Sequence, residues 1–468
     1  MRKFFVLLGL VAVFALPARL MAQQKVTVVI DPDSAGIRVP DDFVGLSFES
    51  AAILPDSKGQ YPYFRSDNRS LIQLFKSLGI KNLRIGGNTS DRPSVKVPSE
   101  ADINALFGFA RLAGTKVIYS LRMRESNPPD VVRTAKFLMD RYKAETHCLT
   151  VGNEPNVYKK EYPAYRDDLK KFMDAINAVA PDARFCGPAT TPGAGGWAAN
   201  FAADFGPSGK ILEVTQHSYP GGSGRKVIDA DAGRKQMLSA EFTKEYEKLY
   251  RAFVPAAQKN ELPYRIEETN NFFSGGTKDV SNTFASALWA LDYLYWWAEH
   301  DAAGINFHTG DNVAAGEEQA PCWYAAFWST PNGYDIHPLS YALKAFDVGS
   351  HGRLLRPRIS PEARNLSVHA VLGADKAIYI TLINKGIDES SAVDVSIDAG
   401  RVLHQPAVMF LSVPKSNIAA TSGITLGDES ISSDGNWTGK WRPLKGNAKR
   451  LTVELPPASV AIVRVQPR

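Results

Sequence analysis

The 468-residue chain is predicted to be an α/β protein: a (β/α)8 TIM barrel with a C-terminal antiparallel β-sandwich domain. Three observations lead there. Between about residues 41 and 310, short apolar runs alternate with amphipathic stretches at the spacing of strand–helix units. After about residue 350 the helical period disappears, and short alternating runs separated by turn signals take over. The length suits two domains.

In chain order, residues 1–22 read as an export leader. Arg2 and Lys3 make a basic start, Phe4 to Leu16 is an apolar run too short to span a bilayer, and small residues precede Gln23. Residues 23–40 hold an alternating run, Lys25–Asp31, expected to pair into the sandwich. The barrel is expected over 41–345, with strands at Phe43–Ser50, Asn82–Gly87, Lys116–Met123, His147–Glu154, Arg184–Thr190, Leu212–Tyr219, Tyr264–Asn271 and Gly304–Thr309. Most lack clean alternation, as strands buried on both faces do. Amphipathic helices such as Pro128–Tyr142, Pro163–Ala180 and Asn282–His300 lie between them. The sandwich, 346–468, is expected to use Asn365–Val371, Ala377–Asn384, Val393–Ile397, Ala407–Leu411, Leu451–Leu455 and Ala458–Val465. Turns such as Asn384-Lys385-Gly386 and Asp434-Gly435-Asn436 separate them.

Composition excludes several functions. The net charge is +5, and Arg2, Lys3 and Arg19 lie in the leader with no acid beside them, so its removal leaves +2. That balance, with no basic stripe interleaved with aromatics, gives no sign of a nucleic-acid partner. No Cys/His cluster has metal spacing, and the Gly-rich pieces at 193–196 and 221–222 lack a phosphate-loop or dinucleotide pattern, so neither metal nor cofactor is expected. Cys148 and Cys186 lie inside apolar strand-like runs and read as buried free thiols; with Cys322 they make an odd number. The mature protein is expected to be soluble, without a membrane partner, and secreted or periplasmic.

The chemistry gathers at two stretches, Val151-Gly-Asn-Glu-Pro-Asn156 and Glu267-Glu-Thr-Asn-Asn271. Each stops a strand and leaves a carboxylic acid beside an amide. In a barrel, Glu154 after the fourth strand and Glu268 after the seventh face each other across the mouth. Glycoside hydrolysis needs such a pair: one acid to protonate the leaving oxygen, one carboxylate to attack or to activate water. Glu267 competes with Glu268, but adjacent strand residues point to opposite faces, so only one is expected at the mouth. Glu49 and Asp91, at the ends of the first two strands, are candidate acceptors for sugar hydroxyls. Trp323, Tyr324 and Trp328 are candidates for an aromatic floor.

Gly152-Asn-Glu-Pro155, Glu268-Thr-Asn-Asn271 with the following Gly275-Gly276, Leu83-Arg-Ile-Gly-Gly-Asn-Thr-Ser-Asp91 and Thr283-Phe-Ala-Ser-Ala-Leu-Trp289 together resemble glycoside hydrolase family 79, which holds heparanase and bacterial β-glucuronidases. The resemblance implies a retaining exo-acting β-glucuronidase with Glu154 as acid/base and Glu268 as nucleophile. It implies that Asn153 contacts the sugar 2-hydroxyl, that Tyr219 hydrogen-bonds the nucleophile, that Glu49 and Asp91 hold sugar hydroxyls, and that Tyr324 lines the same subsite. Arg84 reads equally as the cation that keeps the nucleophile ionised and as a structural arginine in a buried pair.

One position departs from the pattern. Where the family's glucuronidases carry a tyrosine that binds the sugar carboxylate with a glycine N–H, this chain has Phe273, although Gly275 and Gly276 remain. Loss of a donor to a charged group costs about 1.5–3 kcal/mol unless Ser274 or Lys278 replaces it. A neutral or substituted sugar, endo action on a uronic-acid polysaccharide, and a non-catalytic carbohydrate-binding protein therefore stand as alternatives. Lys159 and Lys160 match a lysine pair of heparanase, but solvated helix-start residues are the favoured reading.

Overall fold

The computed structural model describes residues 24–315, 318–444 and 449–467; the leader expected at 1–22 lies outside these. The first strand, β1 (Gln24–Val29), is followed by β2 (Val44–Glu49), β3 (Asn82–Gly86), β4 (Lys116–Leu121), β5 (Thr146–Val151), β6 (Phe185–Thr190), β7 (Ile211–Ser218), β8 (Tyr264–Thr269) and β9 (Gly304–His308). Strands β2 to β9 pair in sequence order, all parallel, and β9 returns to β2, closing an eight-stranded barrel. The barrel strands are almost wholly buried, which explains why their sequences are apolar runs rather than alternations. Strand β8 is the exception in composition: all six residues of Tyr-Arg-Ile-Glu-Glu-Thr are buried, though four are polar or charged. Burying such groups is costly unless they are paired, and Arg265 accordingly pairs with Glu213 and Asp42.

The connecting helices follow ordinary local rules. Helix Glu100–Ala113 begins with a capping box between Ser99 and Asp102 and stops at Gly114, whose left-handed φ of 72° suits glycine. Helix Pro128–Tyr142 starts under an Asn127 side-chain cap with proline in its first turn. Helix Phe284–Glu299 is buried on nearly every side, because one face lies on the barrel and the other meets the sandwich. Its Tyr295 packs on Phe346 and stacks on His369, ring centroids 4.5 Å apart. His369 also reaches Glu299 and Asp292 of that helix (2.7 and 3.1 Å), and Lys385 reaches Asp292 (2.6 Å), so an ionic cluster locks the two units together.

The sandwich has two sheets. One contains Leu366–Gly373, Ile378–Asn384, Ser459–Pro467 and Leu403–Ser412 among its strands. In the other, β1 runs parallel to Val393–Asp398 and antiparallel to Arg358–Ser360. The boundary expected at 345/346 falls inside helix Pro338–Gly349, whose Phe346 packs on Phe43 at the foot of the barrel; the change of texture begins after it, at Gly352–Leu355.

The cysteine expectation is corrected. Cys148 and Cys186 form a disulfide, Cα atoms 5.9 Å apart. The apolar flanks that suggested separate buried thiols belong to neighbouring strands, β5 and β6, whose register sets the two side chains together in one small apolar cluster. Cys322 is free and buried, and burial pushes its thiol well above its ordinary pKa. No helix among the described residues is long and apolar enough to cross a membrane.

Candidate active site

The carboxyl ends of the barrel strands surround a cavity of about 430 Å³, lined by Glu49, Asn88, Glu154, Thr191, Tyr219, Glu268, Phe273, Ser274, His308 and Tyr324 among others. Glu154 is delivered by an abrupt turn. Gly152 has φ of 90°, where an added Cβ would lie 2.9 Å from the Tyr158 hydroxyl, and Glu154 itself is left-handed (φ 45°, ψ 52°) before Pro155 opens a short 3-10 turn. A non-glycine residue held there is strained, and the strain is sustained by the backbone bond from Glu154 N–H to the Ala189 carbonyl, 2.9 Å. The Glu154 side chain keeps 19% exposure and meets His217 Nδ1 at 3.0 Å.

Glu268 ends in a denser environment. Its Oε2 accepts a hydrogen bond from Arg84 Nη1, and its Oε1 accepts one from the Tyr219 hydroxyl at 2.9 Å. His217 and His308 stand 3.8 and 3.9 Å away. Burial alone would raise its pKa, but the charges of His217, His308 and Arg84 and the Tyr219 hydrogen bond outweigh burial, holding the carboxyl well below its ordinary range. Burial and the neighbouring Glu268 charge push the Tyr219 phenol well above its own, so it stays a donor. The buried His217 ring would be neutralised by desolvation, but Glu268, Glu154 and Glu267 raise it to about 9.

Arg84 is fully buried and organises the floor: besides Glu268 it donates to Ser47 Oγ (3.1 Å) and, through Nη2, to Asn153 Oδ1 (2.7 Å). One donor atom each from Glu154, His217 and Glu268 lies within 4.8 Å of the others. Arg84 contacts two of these three residues, through Glu268 Oε2 and, at 3.5 Å, His217 Nε2.

The expected site residues divide into those facing the cavity and those behind it. Glu49, Tyr219, Phe273 and Tyr324 line it with the two glutamates. Glu49 is partly occupied, taking Thr89 N–H and hydroxyl (2.8 and 2.6 Å) and Ala314 N–H (3.1 Å); burial raises its pKa, and the stronger influence of His308 and Thr89 lowers it. Asp91 is not among the residues lining the cavity. Its carboxylate takes Met123, Arg124 and Asn153 N–H and the Tyr158 hydroxyl, at 2.7–3.1 Å, and so braces the turn that carries Asn153 and Glu154 from behind. Asn153 is likewise turned to Arg84 and, at 3.4 Å, to Asn88. Gly275 and Gly276 keep positive φ (85° and 77°) in the loop beyond, where the Gly275 carbonyl accepts from Trp323 N–H. Of the aromatic-floor candidates only Tyr324 lines the cavity; Trp323 and Trp328 pack on each other, and Lys278 lies over Trp323 rather than at the mouth. Lys159 pairs with Asp168 and Lys160 is exposed, the solvated reading of that pair.

The alternation rule fails at Glu267. A register irregularity between Ile266 and Thr269 lets both adjacent carboxylates reach the same Arg84 guanidinium and the same His217 ring. Glu268 opens to the cavity, whereas Glu267 is sealed beneath it. Two histidines escaped the sequence reading. His217 lies two residues before Tyr219, hence on the same strand face, and His308 ends the eighth barrel strand; the first periodicity was a usable signal.

A closed parallel barrel whose mouth holds two carboxylates in unlike environments is an arrangement that glycoside hydrolysis can use. No protein-family model matches the chain. It is similar to a β-glucuronidase of Aspergillus niger, with 22% identity over 329 residues, a match that spans 60% of this chain and 60% of that protein. Among solved structures it is similar to a 4-O-α-L-rhamnosyl-β-D-glucuronidase of Fusarium oxysporum (17% identity, 93% of this chain and 99% of that one, TM-score 0.70). It is also similar to an arabinofuranosidase of Xanthomonas axonopodis pv. citri (13% identity, 94% and 100% covered, TM-score 0.68). At these identities the structural likeness is one of fold.

Proposed function

We propose that the protein is a retaining exo-β-glucuronidase of the family 79 type, with Glu268 as nucleophile and Glu154 as acid/base. The observation that carries this reading is the spacing of the pair. Carboxylate oxygens of Glu154 and Glu268 lie within 4.8 Å. Carboxyl groups about 5 Å apart suit double displacement, whereas inversion needs a wider gap for water. The environments match the roles: Glu268, held ionised by Arg84 and Tyr219, attacks the anomeric carbon while Glu154 gives its proton to the leaving oxygen. Glu154 then takes a proton from the water that releases the sugar from Glu268.

The glucuronide specificity is supported by the Aspergillus and Fusarium relatives. A second reading, a neutral or substituted sugar, is favoured by one feature of the site. Phe273 stands 42% exposed beside the mouth, and among the described residues no Lys or Arg lines the cavity. Purified protein assayed on nitrophenyl β-D-glucuronide and on the matching β-D-glucoside decides between them: preference for the glucuronide upholds the reading, and preference for the glucoside replaces it with the second. Loss of all activity in Glu268→Ala, with azide restoring turnover of an activated substrate by Glu154→Ala, tests the two roles. Export to an oxidising compartment belongs to the same reading, supported by the leader-like residues and the Cys148–Cys186 disulfide.

A further inference from the structure

We propose that Glu267, sealed beneath the nucleophile, acts through His217 as a positioning residue that sets the proton affinity of Glu154. The proposal rests on the assignment of Glu154 as acid/base. Glu267 has no solvent exposure. Among the described residues its Oε2 meets only Thr150 Oγ1 at 3.4 Å, and its Oε1, without a hydrogen bond of its own there, lies 3.7 Å from His217 Nε2 and 4.0 Å from Arg84 Nη2. An ionised carboxylate is retained at such depth only where nearby positive charge compensates for lost water. His217, equally buried, turns Nε2 toward Glu267 and Nδ1 toward Glu154 Oε1 at 3.0 Å. The ring therefore bridges a carboxylate that has no access to substrate and one that faces the cavity.

His217 is faced by Arg84 from β3, by Glu154 after β5, and by Glu267 and Glu268 from β8. Glu267 is faced in turn by His217, Arg84 and Thr150, with Arg265 and the Tyr165 phenol in its wider field. The ring stands between Glu154 and Glu267, with Glu268 beside it and with His308 and then Glu49 beyond Glu268. Removing the Glu267 charge takes negative charge away from the ring, so the Glu154–His217 pair releases its first proton at lower pH. The pair titrates as a unit, and the sign holds whichever partner loses the proton.

The test is the pH profile of kcat for Glu267→Gln, which keeps the shape and removes the charge. The alkaline limb is expected to move at least about one pH unit toward acid, while Glu267→Asp, which keeps the charge, leaves it near the wild-type position. A Glu267→Gln limb that coincides with the wild type's, even with kcat lowered, reduces Glu267 to a structural role and overturns the proposal. Nitrogen-15 histidine NMR of the unsubstituted protein, with the His217 signal assigned against His217→Asn, gives a reading that needs no folded Glu267 variant. Both His217 nitrogens are expected to carry protons at pH 7, and a neutral ring there overturns the proposal. Should Glu154→Ala retain activity, the acid/base assignment falls, while the NMR titration still reports separately on the Glu267–His217 contact.

Discussion

Replacing Arg84 by methionine removes the charge and keeps most of the side-chain volume. In the folded protein the guanidinium serves Glu268, Ser47 and Asn153 and lies 4.0 Å from Glu267. An opposite charge in contact lowers a carboxylate pKa by about 1–3 units, and each unit is about 1.4 kcal/mol. The Glu268 contribution to stability is therefore about 1.4–4 kcal/mol, in line with the roughly 3–5 kcal/mol lost when one partner of a buried pair is removed. The sign follows from the direction of the shift. Glu268 is depressed from its ordinary 4.5, so its stabilising contribution is present above that value and lost as pH falls through the folded-state value. At neutral pH, Arg84→Met should unfold at lower urea concentration than wild type, and the gap should narrow below pH 4.5. The acid limb of kcat/KM, which reports ionisation of the nucleophile, should rise by about 1–3 pH units. An acid limb that stays in place would refute the assignment of Arg84 as one of the groups that, with His217 and His308, keep Glu268 charged.

Three further outcomes are expected. Asp91→Asn exchanges a carboxylate with four protein donors for an amide that cannot accept them equally, so kcat should fall by about 10–100-fold, at about 1.4–3 kcal/mol for lost charged hydrogen bonds, with KM little changed. His369, raised to about 9 by Glu299 and Asp292 against the lowering effect of burial, contributes stability that is full below its unfolded value near 6.5 and lost as pH rises through 9. Urea midpoints should therefore drop more steeply between pH 7 and 10 in wild type than in His369→Asn. The Cys148–Cys186 bridge closes a segment of 38 residues, and Cys148→Ser with Cys186→Ser should lose about 3–4 kcal/mol, read as a lower Tm that reductant no longer changes.

Much of the barrel was legible because burial on both faces leaves a mark that composition can carry: apolar runs of five or six residues at regular intervals, such as Asn82–Gly86 and Lys116–Leu121. Glu154 and Glu268 were legible for the opposite reason, as carboxylates where a strand stops. What escaped depends on register. The disulfide needed β5 and β6 side by side with a known offset. The shared pull of Arg84 and His217 on two adjacent glutamates needed an irregularity in β8 that no propensity announces. Asp91 sits at the end of a barrel strand, as a hydroxyl acceptor would, and only the loops closing over it show that its lone pairs are already taken.

The placement of β1 has a consequence for how the chain can be divided. It lies inside its sheet, with Arg358–Ser360 on one edge and Val393–Asp398 on the other, while Val26 and Val28 contribute to the sandwich core. The sandwich is thus interleaved with residues that come before the barrel. Cutting the chain after the barrel would strip β1 of both neighbours, and expressing the sandwich alone would leave a slot along Val393–Asp398 open to any extended strand. The two units are distinct in architecture yet inseparable as pieces: the barrel is an insertion within the sandwich, and a working excision has to carry residues 24–29 with the distal half or supply them in trans.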